Sequence, residues 1–113
     1  MAIAPKTYDF TLQRRSDHTF GVSLEDSTNN AVNLTGYTVT SQIWNVERTV
    51  KAADVTIAVT NAAGGTFNWT VTDTQTAQLT ADEYRYDVLV SNSSGLKEYW
   101  LEGIIYIDEG YTA

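Results

Sequence analysis

Along most of this chain, bulky apolar residues recur at every second position. The clearest run is Tyr84, Tyr86, Val88 and Val90, interleaved with Arg85, Asp87 and Leu89. A period of two puts successive side chains on opposite faces of an extended strand, and it is incompatible with the 3.6-residue period of a helix. The same alternation is found in Tyr8, Phe10 and Leu12, in Phe20, Val22 and Leu24, and in Val39, Ser41 and Ile43 within a long strand from Tyr37 to Glu47. It continues in Val55, Ile57 and Val59, in Phe67, Trp69 and Val71, and in Leu101, Gly103, Ile105 and Ile107 within a last strand from Leu96 to Ile107. Polar and glycine-bearing clusters separate the runs: Glu25–Asn30, Asn61–Gly65 and Asn92–Gly95 read as turns, and Arg48–Asp54 reads as a polar loop. Only Asp73–Leu79 breaks the alternation in a helical sense. It predicts one helical turn capped by Thr72 or Asp73, with Ala77 and Leu79 facing inward.

About seven short strands at roughly 8–12-residue spacing, with no long helix, predict an all-β fold: an immunoglobulin-like antiparallel β-sandwich with one short helical turn. Tyr84 or Tyr86, near the start of its strand, is placed to make a tyrosine-corner hydrogen bond. The length of 113 residues suits one domain. Residues 7–109 form the predicted sandwich, residues 1–6, with Pro5, an N-terminal arm, and residues 110–113 a tail. With no cysteine, stability has to come from packing and backbone pairing.

Charge narrows the range of functions. Fourteen acidic and seven basic side chains give a formal charge of −7, and the basic residues are dispersed, so neither nucleic acid nor an anionic membrane is an expected partner. No stretch approaches a membrane span, and the start lacks a signal-peptide pattern, so the expectation is a protein that stays on the cytoplasmic side or leaves the cell by lysis. No catalytic residue, metal ligand or cofactor-binding residue is expected. His18 is the only histidine and has no second His or Cys to work with. No serine sits in a nucleophile elbow, and Gly64-Gly65 lacks the Lys-Ser/Thr of a phosphate loop. The acidic pairs Glu25-Asp26, Asp82-Glu83 and Asp108-Glu109 are sequence neighbours, which point to opposite faces of a strand and chelate poorly.

Residues that miss the inward set are the candidates for binding. If Ile43, Val88, Val90, Leu101, Ile105 and Ile107 face the core, then Trp44, Leu89, Trp100, Ile104 and Tyr106 face outward. The three strands that carry them are neighbours in an immunoglobulin-type sheet, so together these five predict an apolar outer face, a protein interface with aromatic anchors.

The segments Tyr8-Asp-Phe-Thr-Leu-Gln-Arg, His18-Thr-Phe and Val32-Asn-Leu-Thr-Gly-Tyr-Thr38 resemble small phage and prophage tail-region domains, which read D-F-x-x-x-R-G-D-T-F followed by I-D-L-T-G-Y. Thr74-x-Thr-Ala-x-Leu79, Tyr84-x-Tyr-Asp-Val88 and Leu101-Glu-Gly103 extend the likeness over nearly the whole chain, and the N-terminal domain of phage baseplate upper proteins is similar. Arg15-Ser-Asp stands where the pattern has Arg-Gly-Asp, and Trp44 stands where it is often charged. The resemblance implies a non-enzymatic virion protein assembled in the host cytoplasm. Such a protein docks on other virion proteins of the tail, baseplate or neck, in multiple copies or as a homo-oligomer. A capsid decoration protein is the alternative, and a carbohydrate-binding module a more distant one.

Overall fold

The structure is a computed structural model that describes residues 6–26, 28 and 30–109. In chain order the elements are β1 (Lys6–Thr7), β2 (Phe10–Gln13), β3 (His18–Ser23), β4 (Tyr37–Trp44), β5 (Lys51–Asn61), β6 (Thr66–Val71), α1 (Asp73–Ala77), β7 (Glu83–Asn92) and β8 (Lys97–Asp108). Hydrogen bonding runs in the order β1-β8-β7-β4-β5-β6-β3, with β2 also on β8. This is the immunoglobulin-like sandwich that the alternation predicts, and β5 belongs to both layers. Its Lys51–Val55 part pairs with β4, and its Thr56–Asn61 part pairs with β6.

Four details differ from expectation. The edge pieces β1 and β2 pair with β8 in parallel, so the sheet is mixed rather than purely antiparallel. Lys6 is part of that pairing, opposite Leu101, and therefore belongs to the sandwich rather than to an arm. The predicted arm over 1–5 and the tail over 110–113 lie outside the described residues. Lys51–Asp54 is strand rather than loop, because Asn45 closes the β4–β5 connection early: its Oδ1 accepts from the Thr49 and Val50 amides at 2.8 and 3.1 Å. In α1, Thr72 caps the helix in a capping box with Gln75. Leu79 is buried, but Thr76 rather than Ala77 faces inward, where its hydroxyl accepts from the Ser16 amide at 3.0 Å.

Trp69 and Phe67, both fully buried, anchor the core from β6. The Phe10 ring stacks on Trp69 at 4.9 Å and 16°, and Tyr86 meets Trp69 edge-on at 5.7 Å. Aromatic pairs in these geometries add stability beyond the area they bury. A buried indole N–H needs an acceptor. Trp69 Nε1–H donates to Ser41 Oγ at 3.0 Å, and the Ser41 hydroxyl donates to the Asp87 carbonyl at 2.5 Å. The tyrosine corner is made by Tyr84, whose hydroxyl accepts from the Ala81 amide at 3.0 Å.

Tyr86 has another task. Its hydroxyl donates to the Tyr8 carbonyl, at the break between β1 and β2. Burial, with Asp9 and Tyr8 nearby, raises the pKa of this phenol well above its ordinary value, so it stays a donor. The same break presses on Gly103 of β8, where a Cβ would lie 2.0 Å from the Tyr8 carbonyl oxygen. Gly103→Ala should therefore lower stability by at least the ~1–3 kcal/mol of an overpacked core site. Urea denaturation checks this, with Gly21→Ala, where a Cβ meets nothing nearer than 3.9 Å, as the mild control.

Candidate functional site

The five residues expected on the outer face divide into two groups. Trp44, Leu89 and Ile104 line one groove of about 560 Å³ on the outer side of β4, β7 and β8. Tyr106 is on the same face, 42% exposed and opposite Glu83, beyond the groove.

Trp100 is not on that face. Between Val88↔Leu101 and Leu89↔Tyr99 the β7–β8 register slips by one residue, and the extra residue is Trp100. A bulge of this kind resets which residues face inward. Trp100 is half-buried, packs against the core, and lines a separate groove of about 310 Å³ with Tyr8, Phe20, Val22, Leu24 and Leu101. Placing it on the outer face was therefore incorrect. Tyr99 takes that place, 46% exposed and opposite Leu89. The uninterrupted Tyr99-Trp100-Leu101 triplet is the sequence signal for it, since three successive large apolar residues do not fit a regular two-sided strand.

Nor is the face uniformly apolar. The pairings set out cross-strand rows. One holds Thr40, Leu89 and Tyr99, the next Gln42, Asp87 and Glu102, and the third Trp44, Arg85 and Ile104. The middle row is acidic and divides the apolar residues into two ends. Trp44 is held in place at its end: its indole N–H donates to Gln42 Oε1 at 3.0 Å, and the Arg48 guanidinium lies 5.7 Å from the ring centroid. Arg48 adopts φ 57°, which presents it over the ring from the β4–β5 turn. Asp87 titrates above the usual carboxylate range. Partial burial is the main cause and Glu102 adds to it, with Arg48 offsetting only part of the shift.

Elsewhere the polar side chains serve the fold. His18 Nε2 accepts from the Gln13 amide at 3.0 Å, and its ring stacks on Phe20. Asp26 Oδ1 accepts from the Thr28 and Asn30 amides, and Glu109 forms ion pairs with Arg14 and Arg15. In the Arg15-Ser-Asp turn the residue at positive φ is Arg15, at 66°, so serine in place of the pattern's glycine fits without strain. No group of three or more His, Cys, Asp or Glu is placed to hold a metal among the described residues, and no helix among them is long and apolar enough to cross a membrane.

An immunoglobulin-like domain with a groove on one sheet is thus the class that fold and geometry define. Among solved structures the chain is similar to a crystal structure of the Lin-41 filamin domain, at 13% sequence identity and a TM-score of 0.50, over 88% of this chain and 84% of that one. At that identity the likeness is one of fold. No protein-family model and no curated protein matches the sequence.

Two predictions follow the placement of these side chains. Trp100→Ala should cost about 1–3 kcal/mol, less than a fully buried Trp, whereas Trp44→Ala, which removes a half-buried ring that does not pack on the core, should lower the thermal midpoint by less. Paired melting curves check this. Because the folded-state pKa of Asp87 is raised, the native state binds more protons than the unfolded state above the ordinary carboxylate pKa, and stability falls as pH rises through that window. Asp87→Asn should therefore raise the melting midpoint at pH 7, and the gain should vanish once the pH falls below the ordinary carboxylate pKa, as a pH series of melts will show.

Proposed function

We propose that this chain is a non-enzymatic structural domain of a bacteriophage virion, docking through the outer face of β4, β7 and β8 on tail, baseplate or neck proteins. The observation that carries the reading is the groove itself. It gathers Trp44, Leu89, Ile104 and Tyr99 on a sheet face that would otherwise be solvated and polar. Trp and Tyr are favoured interface anchors, and burying each large apolar side chain contributes about 1.5–3 kcal/mol before association costs. The virion setting comes from the D-F-T-L-Q-R, N-L-T-G-Y, Y-x-Y-D-V and L-E-G segments, which resemble phage tail-region domains over nearly the whole chain. In this reading the domain acts by being held in a fixed place.

The test is incorporation. Particles assembled with Leu89→Lys/Ile104→Lys should lack the domain, while the isolated variant keeps its β-sheet circular dichroism and melts within a few degrees of the parent. Normal incorporation of the variant would overturn the choice of face. Failure to find the wild-type domain in purified particles by mass spectrometry would overturn the virion assignment. A density map of the particle then separates a tail position from a position on the capsid shell.

A further inference from the structure

We propose that the groove receives an arginine side chain of the docking partner, seated between Asp87 and Glu102; this rests on the docking reading above and names the chemistry of that contact. Asp87 and Glu102 are directly opposite one another on β7 and β8, on the floor of the groove. Like charges in that relation destabilise a sheet. Neither carboxylate forms an ion pair within 4.0 Å among the described residues, in contrast to Glu109, which pairs with Arg14 and Arg15, and Asp54, which pairs with Lys51. The domain's own groove cations are drawn to one end: Arg48 lies over Trp44, and Arg85 sits between Trp44 and Ile104 in the next row. Burial raises the pKa of Asp87 by more than Arg48 lowers it, and the facing Glu102 adds to the rise, so a further cation seated between the two would relieve their repulsion.

Shape selects the cation. Two carboxylates on adjacent strands present oxygens side by side, which suits the planar fork of a guanidinium better than the point charge of an ammonium. Tyr99 and Leu89 at one end, with Trp44 and Ile104 at the other, give apolar cover to the arginine stem and to its neighbours in the partner chain. A divalent metal fits less well, because the row supplies two carboxylates and Gln42 Oε1 already accepts the indole N–H of Trp44.

The experiment is an NMR titration of the full chain at low salt with N-acetyl-argininamide. Saturable shifts are expected at the amides of Asp87, Leu89 and Glu102 and at the Trp44 indole N–H. Affinity should fall as salt is raised. It should be at least tenfold weaker for Asp87→Asn/Glu102→Gln, whose unchanged circular dichroism shows that it folds, and several-fold weaker for N-acetyl-lysinamide. Absence of saturable shifts, equal binding by the lysine probe, or indifference to the double amide variant would overturn the proposal. So would saturable shifts from a neutral disaccharide at the same amides, which would put a glycan in the groove. The particle assay separates this inference from the docking reading. If Asp87→Asn/Glu102→Gln is incorporated normally while Leu89→Lys/Ile104→Lys is not, the face docks without an arginine, and only the present proposal fails.

Discussion

Much of this structure depends on the buried N–H of Trp69. An indole that size contributes more to the core than any other side chain, but it brings a hydrogen-bond donor into a region with few acceptors. Ser41 supplies the acceptor from the facing sheet and donates its own hydrogen bond to the Asp87 carbonyl on β7. Three strands from two layers, β6, β4 and β7, are thereby tied at one level. On β4 the tie turns Ser41 inward, and on β7 the buried Tyr84, Tyr86, Val88 and Val90 set the same facing. With Ser41 and Val88 turned inward, Gln42 and Asp87 have to face outward, on the floor of the groove. The outer face is thus the complement of what the core takes from β4 and β7.

The groove also depends on an irregularity. Without the bulge, Trp100 would stand on the outer face and Tyr99 in the core. With it, one strand sends a tryptophan to the open side of the sandwich and a tyrosine to the groove within two successive positions. Gly103, two residues beyond Leu101, then leaves room for the Tyr8 carbonyl to come in, which brings Thr7 and Asp9 to the groove's rim. The Asp9 carboxylate accepts from the Ile104 amide at 2.9 Å and holds that rim to β8.

How much of this could be read from the residues alone depended on how regular each strand is. β7 was legible throughout, because Tyr84, Tyr86, Val88 and Val90 keep one parity and all four are buried. The faces of Trp44, Leu89 and Ile104 followed for the same reason. β8 was legible only from Leu101 onward, since a bulge shifts parity and alternation cannot report its own interruption. Lys51–Asp54 looked like loop by polarity, but a strand that crosses from one layer to the other has solvent on part of its length. Thr76 was missed because burial of a hydroxyl depends on a partner from a distant turn, here Ser16, which no local pattern encodes. The acidic middle row was invisible for a related reason: Asp87 and Glu102 are fifteen positions apart in sequence, and only strand register makes them neighbours.

The parallel pairing of β2 with β8 has a mechanical consequence. The described chain enters at Lys6, beside Leu101, and leaves past Asp108, beside Gln13, so its two ends lie at opposite ends of the same seam. A pull between them runs along the strands. The bonds joining Phe10–Gln13 to Ile105–Asp108 then carry the load together and must shear at once, whereas a hairpin pulled from its open end unzips one rung at a time. The Tyr86 hydroxyl, the Asp9 carboxylate and the Arg14 and Arg15 pairs with Glu109 cross-brace this seam along its length. The seam therefore meets tension applied between Lys6 and Asp108 in shear rather than by unzipping.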